Sequence, residues 1–374
     1  MSLLRIGIIS PYSLSVPGGV QAQVLGLARE LRRQGHEARV LGPCDGPPPE
    51  PFVTPLGNSL PTAANGSIAP LAPDASAALR TIRALRDEQF DVIHVHEPLA
   101  PGPPMTTLVM GGAPIVGTFH AAGVSTSYRV FKPVLDRLLR RIDVKVVVSK
   151  DALELVESHF PNHGGGVRML FNGVDIATIA ATPVVPASGP TVFFCGRHEQ
   201  RKGLAVLLEA FAKLPADARL WIGSDGPDGT TLRARYAGDE RISWMGRIDD
   251  TEKFGRLRGA SVFCAPSLHG ESFGVVLIEA MAAGTTVVAS ALDGYRNVAT
   301  NGLDALLVEP GDAAALAGAL ARALTDAPLA ARLRAAGAAR AEDFSMTKLV
   351  AEYVAIYHEV IDRRVSARRL GRGA

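Results

Sequence analysis

The chain has 374 residues, of which 47% are apolar and 20% charged, and a formal net charge of +2. That length holds two domains of ordinary size, each with its own core, while so even a charge balance gives no general case for a nucleic acid partner. No stretch approaches the roughly 18 consecutive apolar residues of a membrane span, so any membrane contact is expected to be peripheral.

The N-terminus, M-S-L-L-R-I-G-I-I-S-P-Y, carries Arg5 inside the apolar run and Pro11 soon after. It reads as a first strand, 5–10, and not as a secretory signal. After the loop 11–17, Gly18-Gly19-Val20 opens a helix to about Gln34, and Gly35 turns the chain into a strand at 38–41. The Pro- and Gly-rich stretch 42–62 reads as loop. Asp74 is placed to cap a helix over 74–89, and further elements follow at 91–95, 114–119, 130–142 and 145–148. Ala181–Pro190 reads as a linker, after which a second alternating half begins with a strand at 191–195. It continues through 204–213, 219–223, 250–258, 261–265, 285–290, 312–324 and 329–342, and a last amphipathic helix covers about 346–363. Strands alternating with helices predict parallel sheets covered on both faces, with ligands at the carboxyl ends of the strands. The three cysteines, Cys44, Cys195 and Cys264, lie far apart with no metal or disulfide spacing, which suggests a reducing, cytoplasmic compartment.

The densest chemistry lies in S-L-H-G-E-S-F-G-V-V-L-I-E-A-M-A-A-G, residues 267–284. Gly270 and Gly274 flank a polar turn, the pattern becomes helical at Val275, and Gly284 ends it. A helix mouth offers unpaired N–H groups and partial positive charge, which suits a phosphate. Glu271 and Glu279 invite a second reading as an acid/base pair. Eight helical residues would hold them roughly 12 Å apart, whereas glycosidase pairs stand about 5–9.5 Å apart. The two are therefore expected to grip different parts of one elongated ligand.

Gly196-Arg197-His198-Glu199-Gln200-Arg201-Lys202-Gly203 ends the first strand of the second half with two cations five apart. Taken alone it is as easily a solvated basic loop; beside the helix mouth, it becomes a diphosphate site. The Gly18-Gly19 pair either lets backbone approach a ligand or simply turns into the helix. No G-x-G-x-x-G or phosphate-loop pattern is present. His120 ends the strand P-I-V-G-T-F-H, where a structural and a catalytic role are equally open. His94 and His96 share one face of a strand; packing is preferred there over metal binding. D-x-D is absent, and metal independence is expected.

H-G-E-S-F-G-V-V-L-I-E-A-M-A-A-G is similar to the E-x7-E signature of retaining family 4 glycosyltransferases, and G-R-H-E-Q-R-K-G resembles their G-R-x4-K-G loop. The motifs S-P-Y-S-L-S-V-P-G-G-V-Q, D-V-I-H-V-H-E-P, G-T-F-H and F-N-G-V-D most resemble the branch of that family acting on phosphatidylinositol in actinobacteria. The resemblance implies an α/β GT-B fold, two Rossmann-like domains facing across a cleft. Residues 1–183 would bind the acceptor, 190–345 would bind the nucleotide-sugar, and 346–374 would cross back to the N-terminal domain.

It also implies roles. Arg197 and Lys202 would bind the donor diphosphate, with Gly19 beneath it. Glu271 would contact the sugar hydroxyls, with Ser272, Phe273, Gly274 and Val275 beside it, and His120 would reach the sugar from the other domain. Glu279 would take the ribose, and Asp250 and Lys253 a guanine. Tyr12, Gln21, Asn65 and Ser67 would hold an inositol phosphate head. The reaction implied is front-face mannose transfer from GDP-mannose to a phosphatidylinositol-like acceptor, without a cofactor; the alternative is a UDP-sugar donor with a soluble inositol phosphate. One departure concerns the lipid. Pro70 stands where that branch has an arginine, although Arg80, Arg83 and Arg86 remain on one helix face. Contact with an anionic membrane would then fall to the stretch 128–150 or to the arginine-rich tail, which otherwise reads as a solvated, disordered end.

Overall fold

The computed structural model describes residues 2–16, 18–64, 67–121, 126–163, 166–271 and 273–370. The chain divides into two compact units, Met1–Gly173 with Met346–Ala374, and Val174–Ser345.

The first unit contains strands β1 (Arg5–Ile9), β2 (Glu37–Gly42), β3 (Val53–Pro55), β4 (Leu60–Ala64), β5 (Ser67–Leu71), β6 (Val92–His96), β7 (Ile115–Phe119), β8 (Val144–Val147) and β9 (Arg168–Met169). Its helices are α1 (Gly19–Arg33), α2 (Ala75–Glu88), α3 (Pro103–Met110), α4 (Thr126–Val130), α5 (Lys132–Leu139) and α6 (Lys150–His159). The second unit contains α7 (Ile176–Ala181), α8 (Leu204–Phe211), α9 (Gly229–Arg235), α10 (Asp250–Gly259), α11 (Val275–Ala282), α12 (Asp293–Arg296), α13 (Ala313–Thr325) and α14 (Ala327–Ala341). Its strands are β10 (Thr191–Cys195), β11 (Arg219–Gly223), β12 (Ile242–Gly246), β13 (Val262–Ala265), β14 (Thr286–Ser290) and β15 (Leu306–Val308). The last helix, α15 (Met346–Leu370), belongs to the first unit.

Among the described residues the first unit has a seven-stranded sheet in the order β3-β2-β1-β6-β7-β8-β9, every pairing parallel, and a separate antiparallel pair of β4 and β5. Its central strands β1, β6 and β7 are short and buried on both faces, as parallel strands under helices must be. Ile6, Ile8 and Val40 meet Val24, Leu27 and Leu31 of α1 and Val350, Tyr353 and Tyr357 of α15 on one side. Ile9, Leu41 and Ile93 face the other way, toward Leu108 of α3 and Leu135 and Leu139 of α5. The strand order reverses between β1 and β6, so the loops after these strands open at the point where such sheets bind ligands.

The second unit repeats the plan in the order β12-β11-β10-β13-β14-β15, again all parallel. Its reversal lies between β10 and β13. The strands run to Cys195 and Ala265, and the two motif-bearing loops follow directly. Val192, Ile222 and Val262 pack against Leu207, Leu208 and Phe211 of α8 and Leu316 and Leu320 of α13.

Several expectations are corrected. The stretch 42–62 is not all loop. β3 pairs with β2 through Val40↔Val53 and Gly42↔Pro55, with the proline at the end of an edge strand where its missing N–H costs nothing. β4 pairs antiparallel with β5, Pro61 opposite Pro70. The element at 130–142 is the shorter helix α5, Lys132–Leu139, which starts with Pro133 in its first turn after α4 ends at Val130.

The units divide at Gly173/Val174, earlier than the proline-rich segment that reads as a linker. That segment is packed down: Val185 N–H bonds Gly255 O at 3.0 Å, so it lines α10 inside the second unit. The tail is also ordered further than expected. α15 continues to Leu370, where Arg363 pairs with Glu359 at 2.5 Å one turn back, and Arg168 pairs with the same glutamate.

Candidate active site

In the second unit the loop after β10 and the loop after β13 are stitched together. Leu268 N–H bonds Arg201 O at 2.7 Å. Gly203 ends the first loop with φ 69°, and a Cβ there would fall 1.9 Å from Pro266 O. Only glycine permits both the left-handed backbone and this approach. The approach brings Lys202 Nζ to 2.5 Å from Glu271 Oε1. The same oxygen accepts from Ser267 Oγ at 3.0 Å and lies 3.5 Å from Arg201 Nη1. Ser267 Oγ also meets the Tyr295 hydroxyl at 3.0 Å. Burial, reinforced by the Glu271 charge, raises the Tyr295 hydroxyl well above the usual phenol range, so it stays a neutral hydrogen-bonding partner.

Arg197 projects further outward, 66% exposed, with Glu199 at 3.6 Å. Gly274 heads α11 with φ 91° and has no side chain of its own to cap the first N–H groups of the helix. A Cβ on Gly274 would press to 2.8 Å from the Tyr295 ring. Phe273 contributes backbone alone, since its ring is buried edge-on against Phe344. Ser272 lies outside the described residues.

Deeper along α11, Glu279 Oε1 accepts from Lys253 Nζ at 2.9 Å, and Asp250 Oδ1 lies 3.0 Å from the same nitrogen. Burial alone would lower the lysine, but Glu279 and Asp250 outweigh it and hold the ammonium firmly charged. Glu271 and Glu279 thus each have a lysine of their own, and Glu279 is not a solvated helix face. The neighbouring Cys195 thiol is pushed up to about 11, chiefly by burial, and is inert.

In the first unit Tyr12 follows β1, its backbone carbonyl accepting from Ser10 Oγ at 2.9 Å. Burial, then the charge of Glu97, raises its phenol well above the ordinary range. Gln21 on α1 is buried and donates to Ser13 O at 3.3 Å, which fixes the loop ahead of the helix. A Cβ on Gly19 would meet nothing within 4 Å, so nothing in the protein itself demands glycine there. Asn65 lies outside the described residues, and Ser67 is placed only as a β5 backbone position opposite Ala64.

The loop after β7 carries His120, and the loop after β6 carries a residue that the sequence reading passed over. Glu97, at φ 45°, accepts from both His120 N–H and Ala121 N–H at 2.5 Å. Burial pushes its carboxyl up to about 7, against the pull of those two donors. An acid just past a strand's carboxyl end, in H-V-H-E-P, was the available signal. Beneath it, His96 Nδ1 meets His120 Nε2 at 2.8 Å. His94 is held at both nitrogens, by the Tyr357 hydroxyl and by Thr118 Oγ1, each at 2.7 Å. Thr118 in turn meets the Tyr353 hydroxyl at 2.9 Å. Burial lowers His94 to about 3 and His120 to about 4, so these rings are neutral at physiological pH. His94 and His96 stack with centroids 4.4 Å apart, which is the packing reading. Among the described residues no group of three or more His, Cys, Asp or Glu is gathered as metal ligands.

Family models match both units: "Glycosyltransferase Family 4" over residues 17–178 and "Glycosyl transferases group 1" over residues 189–326. The chain is 39% identical to the phosphatidyl-myo-inositol mannosyltransferase of Mycobacterium leprae over 96% of its own length and 97% of the relative's. This chain is a family 4 glycosyltransferase. The corresponding mannosyltransferase of Propionibacterium freudenreichii is 33% identical to this glycosyltransferase, covering 95% of the chain and 94% of the relative. The D-inositol 3-phosphate glycosyltransferase of Xylanimonas cellulosilytica is 28% identical, covering 93% of each. In fold, the glycosyltransferase is similar to the sucrose-phosphate synthase of Thermosynechococcus elongatus, with TM-score 0.74, 24% identity, and coverage of 96% of this chain and 100% of that one. It is also similar to Anabaena HepE, with TM-score 0.71, 19% identity, and coverage of 95% and 100%. The fold is therefore the GT-B type, built from two parallel-sheet α/β domains.

Proposed function

We propose that this glycosyltransferase moves mannose, with retention, from GDP-mannose to the inositol ring of phosphatidylinositol or a related lipid. The observation that carries the donor half is the cradle of Lys202, Arg201 and the uncapped mouth of α11 around Glu271. The charge that a departing diphosphate takes up is met there by fixed cations and amide dipoles, which is the largest lever an enzyme has on such a step. Those groups can do what a metal does elsewhere, and the proposal is metal-independent. Arg197, more exposed, closes on the diphosphate as the donor arrives, and Gly19 leaves room for it.

In the proposed step the bond from the anomeric carbon to the diphosphate breaks while the acceptor hydroxyl forms its bond on the same face. The acceptor's proton passes to the leaving phosphate oxygen. Glu271 and His120 take the sugar hydroxyls, Glu279 takes the ribose, and Lys253 with Asp250 takes the guanine edge. Tyr12, Gln21, Asn65 and Ser67 hold the inositol phosphate. The full-length similarity to phosphatidyl-myo-inositol mannosyltransferases supports this choice of sugar and acceptor.

No helix among the described residues is long and apolar enough to cross a membrane. We place the lipid contact on the α4–α5 corner. Val130, Phe131 and Val134 are 63%, 58% and 60% exposed there, and Arg137, Arg140 and Arg141 are exposed nearby. Apolar insertion beside basic residues is how a peripheral helix meets anionic lipid.

A second reading is a UDP-sugar donor with a soluble inositol phosphate acceptor; its acceptor half is favoured by the likeness to the D-inositol 3-phosphate glycosyltransferase. Thermal-shift titration separates the donors: GDP raises the melting temperature and UDP does not on the first reading, and the reverse on the second.

A further inference from the structure

His120 is the functional side chain whose chemistry depends most on something not in contact with substrate. A neutral imidazole is a donor at one nitrogen and an acceptor at the other, and the partner of one nitrogen sets the role of the other. His120 Nε2 is engaged by His96 Nδ1 at 2.8 Å, which leaves His120 Nδ1 as the atom that meets a ligand. One hydrogen lies between the two rings, and either ring can own it.

The far side of His96 decides the matter. His96 is 2% exposed, and its Nε2 has no hydrogen-bond partner among the described residues. That ring borders a cavity of about 10 Å³ lined with Gln23, Leu27 and Tyr353 among others. Gln23 is committed at both ends, donating to Gly173 O at 2.7 Å and accepting from Gly173 N–H at 2.9 Å. If His120 kept the shared hydrogen, His96 would carry its own on Nε2, a buried N–H without a protein acceptor among the described residues, which proteins avoid more strictly than an idle lone pair. If His96 keeps the shared hydrogen, the ring hydrogen left without a partner among the described residues sits on His120 Nδ1, where a ligand oxygen can accept it. The stack beneath is rigid: His94 backs His96, and Tyr357 and Thr118 hold His94 at both nitrogens.

We infer that His96 is a positioning residue, donating Nδ1–H to His120 Nε2 and so fixing His120 as a neutral Nδ1–H donor to a substrate oxygen. In that form His120 has no free lone pair toward the substrate and is not the base that takes the acceptor's proton. The low pKa of both rings agrees with a neutral pair. The meaning for transfer rests on the function proposed above; the tautomer does not.

The test is a long-range 1H–15N correlation spectrum of the full chain labelled at histidine, near neutral pH, with the His120 signals assigned by their loss in His120→Gln. A pyrrole-type Nδ1 and pyridine-type Nε2 on His120 are expected. The opposite pattern, exchange between the two, or a charged ring overturns the inference, whether or not the protein transfers mannose. A second arm compares His96→Asn, whose amide can donate in place of Nδ1, with His96→Phe, which keeps the aromatic stack but has no N–H. Asn is expected to keep kcat within about threefold, and Phe to lose about tenfold or more with KM little changed. A Phe variant as active as native, or an Asn variant as impaired as Phe, overturns the inference and leaves His96 as stacking alone.

Discussion

Lys202 Nζ and Glu271 Oε1 stand 2.5 Å apart across two loops that follow different strands, 69 residues apart in the chain. In the proposed function each charge holds the other in place, the cation for the donor's phosphate and the carboxylate for its sugar hydroxyls. Lys202→Ala is expected to cut kcat/KM about 100-fold or more, near 3 kcal/mol of transition-state stabilisation. Steady-state transfer by the folded variant checks this, and unchanged turnover removes Lys202 from the diphosphate.

Gly203 is what permits that approach. Gly203→Ala would place a methyl 1.9 Å from Pro266 O at φ 69°, so the loop must move. A stability loss of roughly 2 kcal/mol or more is expected, with a raised KM for donor because Lys202 shifts with the loop. Denaturant unfolding and donor titration of one preparation test both.

The His94, His96 and His120 cluster and Glu97 pull stability in opposite directions with pH. Burial lowers the folded-state pKa of the three rings, so below about 6.5 the unfolded chain binds protons that the native rings refuse, and stability falls. Glu97, raised to about 7, binds a proton in the native state that the unfolded chain has released, so its burial costs most above pH 7 and nothing below the ordinary glutamate value of 4.5. The rings outnumber the carboxyl, and the melting temperature is expected to drop as pH falls from 6.5 toward 4.5. Glu97→Gln is expected to gain stability at pH 8, on the order of 3 kcal/mol at most, with the gain fading toward pH 4.5. A gain independent of pH would mean that Glu97 is not buried as an ion.

The α4–α5 corner offers a membrane test independent of catalysis. Replacing Phe131 and Val134 by Ser is expected to reduce co-sedimentation with vesicles containing anionic lipid several-fold without changing the melting temperature. High salt should weaken what remains, through screening of the arginines. Equal binding by native and variant places the contact elsewhere.

The two loops of the candidate site were legible as motifs because each is a short run whose chemistry and spacing are local: two cations between glycines, and a polar turn before an apolar helix. That Lys202 lies against Glu271 was not, since no spacing records how the two loops after β10 and β13 are stitched. Glu97, Thr118, Tyr353 and Tyr357 escaped notice for the same reason, being joined only when β6, β7 and α15 pack together. β3 and β4 were hidden by prolines, which argue against strand except at edges, where these lie. The proline-rich 181–190 resembled a linker because composition does not reveal that Gly255 on α10 offers it a seat.

The most direct measurement is transfer of labelled mannose from GDP-mannose to phosphatidylinositol vesicles, by native protein and Lys202→Ala, in the presence of a metal chelator. An α-linked mannosyl lipid is expected from the native protein, undiminished by the chelator, and at most about one hundredth of that rate from the variant. No transfer from GDP-mannose under any condition, or equal rates from both proteins, would contradict it.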